Sequence, residues 1–174
     1  MIRRHRWITL PSSAVMIVCW FLPVVRVCGK PTIPLEWPMF WTPYVVAGLV
    51  FAAALVRPWS LRGIAIALRV IIGLTVVGFG TLVMFDGEGF ALVGIGALTI
   101  TIVLAITLPA KSDEAMCARC GFFVALPSCL WFGAIALDKD ALFGAYLSFA
   151  AAIAMWIGCA WWWGESEAAA QRVP

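Results

Sequence analysis

Two thiols at Cys117-Ala-Arg-Cys120 are the residues whose type and spacing come closest to a reactive pair, since cysteines three apart can share a soft metal or interconvert with a disulfide. A structural zinc site wants four ligands, and no second pair at this spacing exists to supply them. His5 and nearby carboxylates are the remaining donors expected on the same side. The plainer reading is two thiols at the border of an apolar segment. A metal-binding or thiol-redox role for Cys117 and Cys120 stands as a second alternative.

Arg69, in Ile64-Ala-Ile-Ala-Leu-Arg-Val-Ile-Ile-Gly73, is the one charged residue expected inside a long apolar run. A charge at membrane depth is costly unless paired or hydrated, which makes such a residue a candidate contact for an anion, a lipid headgroup or a partner. Five residues past Ile64 at about 1.5 Å per residue is only about 8 Å, so the guanidinium can snorkel to an interface.

The absences are as informative. With a single histidine, His5, haem held between two histidines of this chain is excluded, and histidine-dependent hydrolysis is disfavoured. Every Asp and Glu is expected in a loop or tail, where proton relays and cation-coupled transporters would need carboxylates at depth. No lysine falls inside an apolar run, and there is no Gly-rich phosphate loop. No cofactor is therefore expected, and the chain reads as a non-enzyme.

The elements that would carry these residues follow from composition. The chain is 64% apolar and 12% charged, against about 25% charged in an ordinary globular protein. Its mean hydropathy is +1.01. Apolar runs this long suit a bilayer, where the backbone must satisfy its own hydrogen bonds, and helices are the simplest way to do so. We expect an all-α integral membrane protein, a single polytopic domain over 1–163 with about six transmembrane helices at 7–25, 41–56, 64–85, 90–108, 120–137 and 141–163. A short polar cytoplasmic tail, 164–174, would follow, disordered beyond the last span.

Orientation comes from the basic residues. Six spans place Arg3, Arg4, Arg6, Arg57, Arg62, Lys111, Arg119 and Arg172 on one side and only Arg26, Lys30 and Lys139 on the other. Both termini should thus be cytoplasmic, in a bacterial inner membrane. The net charge of +3 forms no basic stripe, so nucleic acid is not an expected partner. Trp7, Trp59 and Trp161 to Trp163 should mark the inner interface, and Trp37, Trp41, Trp20 and Trp131 the outer one.

Two features suggest association. The last span carries Gly144, Ser148 and Ala152 at four-residue spacing, with Ala150, Ala154 and Gly158 beside them, small residues that let helix backbones approach closely. The connection 26–41 holds Pro31, Pro34, Pro38 and Pro43 close by, which should stiffen it in an extended form, with Trp37, Phe40 and Trp41 as a partner-facing outer surface. The expected function is that of an accessory or structural subunit, or an interaction or immunity-type factor. Its partners would be membrane lipids and other membrane subunits or further copies of itself. A small passive channel or solute transporter is the alternative, with Thr75, Thr81, Thr99, Thr101 and Thr107 as polar lining.

Overall fold

A computed structural model describes residues 5–36, 41–56, 61–86, 110 and 112–171, with 76–86 as backbone only. Most of them are helical: α1 (Arg6–Cys19), α2 (Trp41–Leu55), α3 (Leu61–Asp86), α4 (Asp113–Ala136) and α5 (Phe143–Ala170). The expected span 90–108 lies outside the described residues, as do Trp37, Phe40, Trp59, Thr99, Thr101 and Thr107.

Helix boundaries follow local chemistry. Ser112 caps α4, its Oγ accepting the Ala115 N–H at 3.1 Å, and Asp113 and Glu114 complement the positive end of the helix dipole. This start signal sits in a segment, Lys111-Ser-Asp-Glu114, that polarity alone assigns to a loop. Arg119, Cys117 and Cys120 consequently lie within a helix rather than at its border, and Arg119 is buried (3% exposed). At the other extreme, α5 runs seven residues past Trp163. The expected disordered tail is helical through Ala170, because Glu, Ser and three alanines are compatible with a helix once Trp163 and Glu167 pair at four-residue spacing.

Prolines inside α1 and α4 are accommodated alike. Each removes a backbone donor, and the following serine bonds back to a carbonyl one turn earlier: Ser12 Oγ to the Ile8 carbonyl and Ser128 Oγ to the Val124 carbonyl, both at 2.7 Å. The short echo Leu-Pro-Ser at 10–12 and 126–128 reflects this shared local device.

The stretch after α1 is a hairpin, not the stiff extended segment its prolines suggest. Strands β1 (Val25–Val27) and β2 (Lys30–Thr32) pair antiparallel, with Val27 opposite Lys30. Their two-residue turn has Cys28 at φ 52° and Gly29 at φ 80°, the positive pair that tight hairpins require. Pro31 falls on the edge strand, where its missing N–H costs no ladder bond. On the opposite edge of β1, the Arg26 N–H donates to the Asp140 carbonyl and the Leu142 N–H to the Val24 carbonyl, so the connection between α4 and α5 adds a third edge. The two connections therefore share one end of the bundle, hereafter the hairpin end.

The core is built around α5, which buries Gly144, Ser148, Ala152, Met155, Cys159 and Trp162 along one face. Alpha-carbon faces meet closely here. An added methyl at Gly158 would lie 3.1 Å from the Thr9 backbone nitrogen of α1, and one at Gly121 would lie 2.7 Å from Cys159 Sγ. Tyr44 of α2 is fully buried against this face, its hydroxyl 3.3 Å from Ser148 Oγ and its ring stacked on Trp20. Helices α2 and α3 are tied by the hydroxyls of Thr42 and Thr75, 2.9 Å apart.

Of the six cysteines, all of them described, only Cys28 is exposed. A membrane-impermeant maleimide is expected to label native protein at one site, and the Cys28→Ser variant at none. Rapid labelling of a second thiol, read by intact mass, would contradict the packing described.

Candidate functional site

At the end opposite the hairpin both ends of the described chain meet. His5, read from sequence as part of an N-terminal tail, is buried (1% exposed). Its carbonyl accepts the first N–H groups of α1, from Ile8 and Thr9, which fixes the residue against the helix start. The imidazole then reaches α5: Nδ1 lies 2.8 Å from Glu165 Oε2, and the ring stacks on the Trp162 indole at 5.0 Å and 9°. Trp162 donates its Nε1–H to Glu114 Oε1 of α4 at 2.9 Å. One buried indole thus links α1, α4 and α5, and its Nε1–H and the Nδ1 of His5 both find partners, without which their burial would be costly.

Around this link lie further ionisable groups. Arg119 directs Nη2 at Met116 Sδ, 3.3 Å away, and is drawn electrostatically to Glu167, which also accepts the Trp163 Nε1–H at 3.4 Å. Arg69, exposed on α3, acts electrostatically on Cys117, Cys120 and Arg119. Three carboxylates expected in loops or tail, Glu114, Glu165 and Glu167, therefore stand on helices, and Arg119 joins Arg69 as a cation within a long apolar helix.

The structure brings a third thiol to the pair singled out by spacing. Cys159 of α5 is buried beside Gly121 and close enough to Cys117 and Cys120 to interact electrostatically. Periodicity could have found it, since Cys117 and Gly121 share a helix face and Cys159 lies on the small-residue face of the last span. All three sulfurs are enclosed. Among the described residues, no three of His, Cys, Asp and Glu are grouped so that they could hold a metal ion. The His5–Glu165 pair has the form of a carboxylate-oriented imidazole, yet the groups it touches are structural partners rather than a positioned nucleophile.

The remaining sequence candidates separate. Gly144, Ser148, Ala152 and Gly158 are buried between helices, Ala154 is half-buried, and Ala150 is exposed. Trp41 is exposed at the start of α2 and donates its Nε1–H to the Leu35 carbonyl at 3.0 Å. Trp7, Trp131 and Trp161 are exposed as expected of interfacial indoles, whereas Trp162 is a core residue because its N–H is satisfied inside the protein.

No protein family, no curated protein and no solved structure matches the chain. Function must therefore be argued from the geometry alone.

Proposed function

We propose that the chain is a bundle of six transmembrane helices, both termini cytoplasmic in a bacterial inner membrane, that acts by association with another membrane protein. Among the described residues α4 and α5 are each long and apolar enough to cross a membrane. The outward surface is that of a chain solvated by lipid: Trp7 is 78% exposed, Leu130 72% and Phe143 71%, on helices with no broad polar face. Parity supports an even number of spans. Helix α3 rises from the terminal end, where Arg69 neighbours α4, toward the hairpin end, while α4 begins again at the terminal end.

The observation that favours association over transport is the close packing of the bundle interior, between helices at Gly121 and Gly158 and against the Pro23 carbonyl at Gly144, with no room for a methyl group. A solute path wants polar lining. Here the ionisable groups His5, Glu114, Glu165 and Glu167 gather with Trp162 and Trp163 at one end, and the hydroxyls of Ser12, Ser13 and Ser128 return to backbone carbonyls of their own helices.

The test is crosslinking in native membranes, then recovery in mild detergent and mass spectrometry. A stoichiometric membrane partner is expected. Recovery of the chain alone, together with ion or solute flux in liposomes, would replace this reading by the channel alternative. The arrival of Cys159 beside Cys117 and Cys120 favours thiol chemistry as a second reading, which fails if serine at all three positions leaves a cellular phenotype unchanged.

A further inference from the structure

Helix α3 carries its arginines in register. Arg62 and Arg69 are seven residues apart, two helical turns, so both project from the same face about 10 Å apart along the axis. Both are exposed, and among the described residues neither belongs to an ion pair. Helix α3 has no acidic residue before Asp86 at its far end. Arg69 lies near enough to α4 to act on Cys117, Cys120 and Arg119, Arg62 shares its face by the seven-residue spacing, and α2 is engaged through Thr75. Two acids act on Cys117 together with Arg69: Glu114, which accepts from the Trp162 indole, and Asp113, at the exposed first turn of α4.

Beside them an exposed apolar strip begins at Ile66 and, at four-residue spacing, winds away from the arginine face. Ile66, Val70 and Leu74 are exposed, and a side chain placed at Gly63 or Gly73 would meet nothing within 4 Å. Paired cations at the end of a helix, followed by a shallow apolar strip, match a molecule with a phosphate head and hydrocarbon tails.

We propose that Arg62 and Arg69 hold the phosphate headgroup of an anionic phospholipid of the cytoplasmic leaflet against the α3–α4 seam, its acyl chains lying along Ile66, Val70 and Leu74. The proposal rests on the membrane reading and gives it a specific ligand. Arginine suits the role because its planar fork bonds two phosphate oxygens at once and its aliphatic stem can follow the apolar strip.

Native mass spectrometry of the detergent-purified protein, titrated with phosphatidylglycerol or phosphatidylcholine, tests it. The native chain should retain phosphatidylglycerol preferentially. Arg62→Gln and Arg69→Gln should each weaken that binding about five-fold, the ratio given by about 1 kcal/mol per basic residue near an anionic surface. The double variant should bind the two lipids equally, Arg62→Lys with Arg69→Lys should fall between, and Arg26→Gln at the hairpin end should match the native chain. An unchanged preference in the double variant overturns the site. Displacement of the lipid by millimolar inorganic phosphate would assign the arginines to a free anion instead. Failure of the membrane reading is seen separately, as release of the chain from membranes by alkaline carbonate.

Discussion

Gly144→Ala is expected to lower the stability of the bundle by about 3 kcal/mol, the largest loss from adding a single methyl group anywhere among the described residues. The glycine is the second residue of α5, where the helix still has an N–H without an intrahelical acceptor. That N–H donates at 3.1 Å to the Pro23 carbonyl, from the segment that follows α1. Leu142 gives no side-chain cap, so this bond from another segment does the work of one. A methyl at position 144 would sit 2.4 Å from the same carbonyl oxygen and 3.2 Å from Leu22 Cβ. A backbone carbonyl held by a hairpin cannot swing aside as a flexible side chain would. Overpacking of this kind costs about 1–3 kcal/mol, and losing the bond about 1 kcal/mol more.

Gly48→Ala provides the control, because an added methyl there meets nothing within 4 Å and alanine is the better helix former. Unfolding in mixed micelles with rising dodecyl sulfate should place Gly144→Ala well below the native chain and Gly48→Ala at or slightly above it. Equal midpoints for the two variants would mean that the start of α5 and the Leu22–Pro23 segment do not meet as closely as described.

What the sequence revealed, and what it hid, divides along the range of the interactions. Helix positions were legible because long apolar runs need no partner to be recognised: the expected 41–56 and 64–85 differ from α2 and α3 by at most three residues at either end. The burial of Gly144, Ser148, Ala152 and Gly158 was legible for a similar reason, as a periodic pattern on one helix. The hairpin is hard to see because the four prolines signal an extended segment, while its own signal is only the two-residue turn Cys28-Gly29 after Val25 and Val27. His5 was hidden altogether. Nothing within its own neighbourhood signals burial, since the groups that enclose it, Trp162 and Glu165, lie some 160 residues away. By hydropathy the charge of Arg119 marks the end of an apolar run, whereas the cap at Ser112 has already begun the helix.

Trp162 is where those distant contacts converge, and its replacement should show how much they contribute. It is among the largest side chains that the core encloses completely, and Trp162→Ala is expected to cost about 3–5 kcal/mol, the range for emptying a buried aromatic site. Trp162→Phe separates the ring from its donor. Phenylalanine keeps most of the packing and a face for His5, but removes the N–H that Glu114 accepts at 2.9 Å, a bond to a carboxylate of the class that contributes about 1.5–3 kcal/mol. A cycle with Glu114→Gln would isolate that pair, and one with His5→Ala the stack, for which about 0.5–1.5 kcal/mol is expected. The pattern matters more than any single value. If Trp162→Phe is as stable as the native chain while Trp162→Ala is not, the indole acts by volume alone. If both cycles show coupling, the indole joins α1, α4 and α5 at the end where both termini lie. The end opposite the hairpin would then be held in one shape by a side chain that never reaches the surface.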